Sequence, residues 1–151
     1  MMDIKNIKNY IKVSEYIASS GQPNKGQFKS IAEEKYQVVI NLAMPNSDNV
    51  ISEEGSIVTA LDMIYVHIPV SFDTPNVYHL NKFISVMEAF ANQKIWVHCV
   101  ANYRASAFLY QYQRLVYGAT PEDAKTIMLP SWKPNEVWQN FMEISLEEIT
   151  L

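Results

Sequence analysis

The chain has 151 residues, 48% hydrophobic and 19% charged, with 12 Lys+Arg against 16 Asp+Glu and a formal charge of −4. This length supports one substantial core, so residues 1–151 are read as a single domain, and the composition is too apolar for intrinsic disorder. The basic residues are scattered, which argues against a nucleic-acid or anionic-membrane surface, and the single cysteine, Cys99, excludes an internal disulfide and a thiolate-rich metal site.

The opening MMDIKNIKNYIK lacks the apolar core of a signal peptide, and no apolar run approaches the roughly 20 residues of a membrane span. The expected compartment is the cytoplasm, or the periplasm if a leader has been removed. YIAS (16–19), running into Ser20-Gly21-Gln22-Pro23, reads as a short strand ending in a turn, and GQFKSIAEEK as a short helix with Phe28 and Ile31 inward. YQVVINLA (36–43) is a buried strand closed by Pro45-Asn46. EEGSIVTALDM (53–63) reads as helix and MIYVHIPV (63–70) as another β-branched strand.

Thr74-Pro75 predicts a helix start, with Thr as N-cap and Pro at the first helical position. Val77, Leu80, Ile84, Met87 and Ala91 follow at spacings of three and four, the signature of an amphipathic helix. KIWVHC (94–99) is the next strand. From Arg104 the pattern is helical again, with Ala105, Phe108, Tyr112 and Leu115 on one face and Gly118 as the stop. Thr120-Pro121-Glu122-Asp123 restarts a helix, and a last one is expected over 135–148, with Val137, Trp138, Phe141 and Ile144 available to pack. Strands alternating with helices, then helices alone, predict an α/β domain with a mainly parallel central sheet flanked by helices.

In open α/β sheets, ligands bind beyond the carboxyl ends of strands, where a loop feeds a helix N-terminus, and Cys99 falls at such a place. Backbone N–H groups of residues 100–105 can curl around an oxyanion there: Val100, Ala101, Asn102, Tyr103 and Ala105 are the candidate substrate-binding positions. The helix dipole adds positive potential, which favours thiolate over thiol. Arg104 supplies a planar charged fork suited to two oxygens of a phosphate. Taken alone, a free cysteine reads as a buried core residue and an arginine opening a helix as a surface one. Strand, His-Cys, short loop, Arg and helix in working order point instead to a thiolate–anion site.

The stretch VHCVANYRASA resembles the active site of the cysteine-dependent protein tyrosine and dual-specificity phosphatases, whose pattern is His-Cys-x5-Arg-Ser/Thr. It is more similar to a bacterial phosphatase-like family that is sometimes fused to metallo-β-lactamase-like hydrolases; ASSGQP, VVINL and YVHIPV resemble that family's earlier landmarks, and the likeness spans roughly residues 16–118. The resemblance implies a protein-tyrosine-phosphatase-like fold and attack by Cys99 on phosphorus. It also implies oxyanion binding by the loop amides and Arg104, then hydrolysis of a phosphocysteine; His98 would support the cysteine by hydrogen bonding. A phosphorylated substrate or other oxyanion is the implied partner, and no cofactor is implied.

Several positions depart from the phosphatase pattern. Four residues, not five, separate Cys99 from Arg104, and Asn102 stands where a glycine is usual. Asparagine tolerates the left-handed backbone better than other non-glycine residues, so the turn survives sterically. Ala105 occupies the position where phosphatases carry Ser/Thr, with Ser106 one place late. A Cys-x4-Arg spacing is also common in rhodanese-like sulfurtransferases, where Cys99 would carry a persulfide, and a phosphate-binding pseudophosphatase is the non-enzymatic alternative. SSGQP and the absence of rhodanese landmarks favour the phosphatase branch, while the loop itself does not decide.

Such phosphatases need a general acid. Asp73, in PVSFDTPN, lies 26 residues ahead of Cys99, where dual-specificity enzymes place theirs, with Asp62 and Asp48 as weaker substitutes. Trp132, in LPSWKPNEVW (129–138), is a candidate pocket wall or an aromatic lid on the core. Tyr103 is either a second wall or a cover for the helix start. His67 and His79 lack a ligand-set spacing, so no metal is expected.

Overall fold

The computed structural model describes residues 3–149. In chain order the elements are strands β1 (Ile11–Lys12) and β2 (Ile17–Ser20), helix α1 (Lys25–Glu33), β3 (Val38–Asn41), α2 (Glu54–Ala60), β4 (Ile64–His67) and α3 (Val77–Ala89). They continue with β5 (Ile95–His98), α4 (Tyr103–Val116), α5 (Pro121–Ala124) and α6 (Glu136–Met142), with 3-10 turns at Ile4–Asn6, Lys125–Ile127 and Leu146–Glu148.

The sheet order is β1-β2-β5-β3-β4; β1 runs antiparallel to β2, and the other three pairings are parallel. β5 is therefore the central strand. In the parallel part, Val38 registers with both Ile95 and Ile64, and Asn41 with both His98 and His67, so β3, β4 and β5 all finish at one edge. Helices cover both faces, which is why VVIN and IWVH are buried along their whole length. The first layer packs Val38, Ile40, Ile95 and Val97 against Phe83 and Ile84 of α3, Phe108 of α4 and Trp138 of α6. The second packs Ala18, Val39 and Trp96 against Phe28 and Ile31 of α1 and Val58 of α2. Among the described residues no helix is long and apolar enough to cross a membrane.

Most elements lie where the pattern places them, with shorter ends. α3 begins later than Thr74-Pro75 predicts: its N-cap is Asn76, whose side chain accepts from the His79 amide, leaving both residues outside the helix. Leu80, Phe83, Ile84 and Met87 form its buried stripe, whereas Ala91 lies past its end. The helix predicted over 135–148 breaks after Met142, and Val137 is exposed while Trp138 and Phe141 are buried. Gln111 of α4 donates to the carbonyls of Phe141 and Ile144 there, a capping bond that no local pattern announces. The two-residue edge strand β1 was below the length that alternation can reveal.

Candidate active site

Cys99 directly follows the central strand and is 1% exposed. Side chains alternate across a strand, so Val97 and Cys99 enter the layer of α3 and α4, while Trp96 and His98 turn toward α1 and α2. The His-Cys pair thus straddles the sheet. Beyond it, Val100 and Ala101 lead to Asn102, whose φ of 68° and ψ of 12° are left-handed, and α4 starts at Tyr103. Asparagine accordingly does the work that the missing glycine would do, as its conformational tolerance predicts.

Each carbonyl of this loop, from Cys99 to Asn102, has a hydrogen-bond partner within the protein. The Cys99 carbonyl lies 3.1 Å from His98 Nδ1, that of Val100 accepts from the Gln22 amide at 3.0 Å, and that of Ala101 accepts from Asn9 Nδ2 at 3.0 Å. The Asn102 carbonyl accepts from the Ser106 amide inside α4. A peptide whose carbonyl is pinned one way aims its amide the other way. At the helix start the Asn102 side chain makes no capping bond, so it leaves the first-turn amides of α4 to another acceptor. Its Nδ2 is used elsewhere, donating to the Asn9 carbonyl at 2.8 Å and to Ser19 Oγ at 3.0 Å.

The segment ASSGQP forms the rear wall of the loop. Ser19 receives Asn102, Ser20 Oγ donates to the Gly21 carbonyl and accepts from Trp96 Nε1, and Gln22 holds Val100. At Gly21 an added Cβ would stand 2.5 Å from the Val100 oxygen and 3.2 Å from Ala101 Cα. Gly21→Ala is therefore expected to push the loop outward, lowering stability by roughly 1–3 kcal/mol. Binding of inorganic phosphate should weaken further than the melting temperature alone explains, which a thermal melt and a phosphate titration on the same preparation will separate.

Arg104, the second residue of α4, is 7% exposed. Its guanidinium donates to the Val70 carbonyl at 2.9 Å and lies 5.9 Å over the Phe72 ring, while its Nε is buried without a partner. Among the described residues no carboxylate bonds this buried guanidinium, and its open donor has the chemistry to bind an anion. Asp73 follows Phe72 in the chain and is exposed. Its loop leaves β4 at the same sheet edge as Cys99 and is tied to the Cys99 loop through Val70 and Phe72. Asp48 is exposed in the loop after β3. Asp62 precedes β4, at the opposite edge of the sheet, and so is not brought to the site.

The Tyr103 and Trp132 rings stack at 5.0 Å and 4° beside Phe72 and Trp138, so both residues form an aromatic wall next to the loop. Ser106 is buried, and its hydroxyl donates to the Tyr103 carbonyl of its own helix; Ala105 is a core residue. The register shift of the serine is thus real: its hydroxyl is committed to α4. His67 bonds the Ala43 carbonyl at 2.6 Å and His79 lies in the first turn of α3.

The acidic residue behind the loop escaped the sequence reading. Glu54, 2% exposed in α2, lies 2.7 Å from His98 Nε2 and accepts from Gln22 Nε2 at 2.6 Å. Its spacing of four from the inward Val58 was the available signal, since it puts a carboxylate on the apolar stripe of a helix. Burial pushes the Glu54 carboxyl up, but the hydrogen bond and charge of His98, joined by Gln22 and Tyr65, outweigh it and hold the group below the usual carboxylate range.

The family described as DSP-PTPase phosphatase fused to NAD+ kinase matches residues 7–137. Among solved structures, a candidate phosphatase (DUF442) of Shewanella putrefaciens CN-32 is 35% identical with a TM-score of 0.85, covering 92% of this chain and 91% of that one. Tk-PTP in its active form superimposes with a TM-score of 0.78 at 15% identity, over 93% of this chain and 97% of that one. The core catalytic domain of the PP-IP phosphatase SIW14 from S. cerevisiae gives 0.73 at 18% identity, over 92% and 86%. These last two likenesses concern the fold. No curated protein matches the sequence.

Proposed function

The chain belongs to the family of DSP-PTPase phosphatases fused to NAD+ kinase, and from that premise we propose that it hydrolyses a phosphomonoester through a phosphocysteine on Cys99. The Cys99 thiolate attacks phosphorus, the P–O bond to the leaving group breaks, and Asp73 gives that oxygen a proton. Water, activated by the same carboxylate, then cleaves the P–S bond and releases phosphate. The loop amides and Arg104 hold the equatorial oxygens, where negative charge accumulates in the transition state.

The observation that carries this reading is the arrangement of the loop. Its carbonyls from Cys99 to Ala101 are engaged behind it, that of Asn102 is engaged within α4, and Arg104 Nε is buried there with no partner among the described residues. The Cys-x4-Arg spacing is shared with sulfurtransferases, but the family match and the fold extend over most of the chain and support the phosphatase branch.

The test is hydrolysis of p-nitrophenyl phosphate by the purified protein. No turnover, with phosphate still raising the melting temperature, would leave only an anion-holding protein. Asp73→Asn is expected to lower kcat about 10²-fold on an alkyl phosphate, whose leaving group needs a proton, and much less on p-nitrophenyl phosphate. Equal kcat for both forms on the alkyl ester would remove Asp73 from the mechanism.

A further inference from the structure

Behind the nucleophile lies a buried acid that the phosphatase reading does not use. Glu54 reaches the Cys99 loop by two routes. Through its Oε2 it meets His98 Nε2 at 2.7 Å, and the other ring nitrogen of His98 lies 3.1 Å from the Cys99 carbonyl. Through its Oε1 it accepts from the Gln22 side chain at 2.6 Å, and the Gln22 backbone amide holds the Val100 carbonyl at 3.0 Å. One carboxylate therefore governs the carbonyls of two successive loop residues, Cys99 and Val100. The Tyr65 phenol also helps to lower the Glu54 carboxyl, and Asn41 Nδ2 donates to that phenol at 2.9 Å.

The valence of these contacts decides where protons sit. A carbonyl only accepts, so His98 Nδ1 bonds the Cys99 oxygen only if it carries hydrogen. The Nε2 contact with Glu54 then needs a second proton between the two atoms. Against its burial, the contacts with His98, Gln22 and Tyr65 hold Glu54 below the usual carboxylate range, and with Glu54 ionised the shared proton belongs to the ring. Burial keeps the Tyr65 phenol protonated, so it too acts as a donor to the carboxylate.

Resting on the phosphatase reading for its effect on turnover, we propose that Glu54 is a positioning residue for Cys99. It keeps His98 doubly protonated one residue from the nucleophile and, through Gln22, fixes the turn that follows. The imidazolium is a buried positive charge on the far side of the sheet from Arg104, so Cys99 sits between two cations contributed by different layers. The other groups that face this centre are neutral or distant from the ring: Phe28 from α1, Asn41 from β3, Tyr65 from β4 and Ser20 from β2. Asp73 and Tyr103 lie on the opposite side with Cys99, and the Lys8 stem packs near Gly21 at the rear of the loop.

Glu54→Gln tests this with little change of shape, since an amide nitrogen can donate to a neutral His98 Nε2 while Nδ1 keeps its bond to Cys99. In the wild-type protein near neutral pH, ring 15N shifts of His98 should show both nitrogens protonated; in the variant Nε2 should lose its proton. Alkylation of Cys99 by iodoacetamide near neutral pH should slow about tenfold, as expected for removing a nearby cation from a thiolate. The kcat for p-nitrophenyl phosphate should fall by a similar factor, with KM within about twofold. Unchanged alkylation and kcat in a variant whose His98 has become neutral would overturn the proposal, as would a singly protonated His98 in the wild type. If the variant does not fold, the wild-type ring shifts decide: two protonated nitrogens uphold the assignment and one overturns it. Alkylation needs no turnover, so a wild-type protein that alkylates fast but hydrolyses nothing sinks the phosphatase reading and leaves this one standing.

Discussion

Replacing Cys99 by serine is expected to lower hydrolysis of p-nitrophenyl phosphate by at least about 10⁴-fold, a loss of about 5 kcal/mol of transition-state stabilisation. A serine hydroxyl fits the buried site but is a far weaker nucleophile than a thiolate, and it leaves poorly from phosphorus. The fold should be unaffected, because the substitution changes little volume at a buried position just past the end of β5. Phosphate should still raise the melting temperature of the variant, since the loop amides and Arg104 remain. Activity close to wild type would mean that the reaction does not pass through this residue. Thiosulfate treatment of the wild-type protein should leave the intact mass unchanged; an added sulfur on Cys99 would move the chemistry to sulfur transfer.

Arg104→Lys is expected to reduce kcat/KM by about 10²- to 10³-fold, the scale for losing one preorganised donor to a developing anion. Charge is conserved, so the loss would report geometry. A guanidinium bonds the Val70 carbonyl with one nitrogen and still has the buried Nε and its remaining donors for the ligand. A lysine ammonium is a point charge that cannot span both. Because Val70 and Phe72 lie just before Asp73, the variant should also loosen the loop that carries the proposed acid. The measurement is kcat/KM together with inhibition by inorganic phosphate, and both should weaken. Values within about twofold of wild type would show that Arg104 does not touch the transferred group.

Much of this site was legible before any coordinates. Local chemistry announces it: the apolar run IWV marks a strand, Asn102 permits a left-handed turn, and the stripe Ala105, Phe108, Tyr112 marks a buried helix, so Cys99 had to sit between strand and helix. The general-acid position was legible only as an expectation from spacing. The sheet separates Asp62, which lies at the far edge, from Asp73 and Asp48, whose loops leave β4 and β3 at the Cys99 edge. Ser106 shows the reverse case, a residue whose type fits the chemistry but whose place in α4 commits its hydroxyl to the Tyr103 carbonyl.

By itself, the sequence determined the elements and the place of the Cys99 loop between strand and helix, since hydrophobic period, turn residues and a Cys-x4-Arg run are properties of neighbouring residues. Tertiary structure alone decided what stands behind that loop. Gln22 and Glu54 are 32 residues apart, and Glu54 and His98 are 44 apart. Such pairs leave no trace in local pattern, because a glutamate in a short helix is usually a solvated one. Only the alternation of β5, which turns His98 away from Cys99 and toward α2, makes it a buried partner.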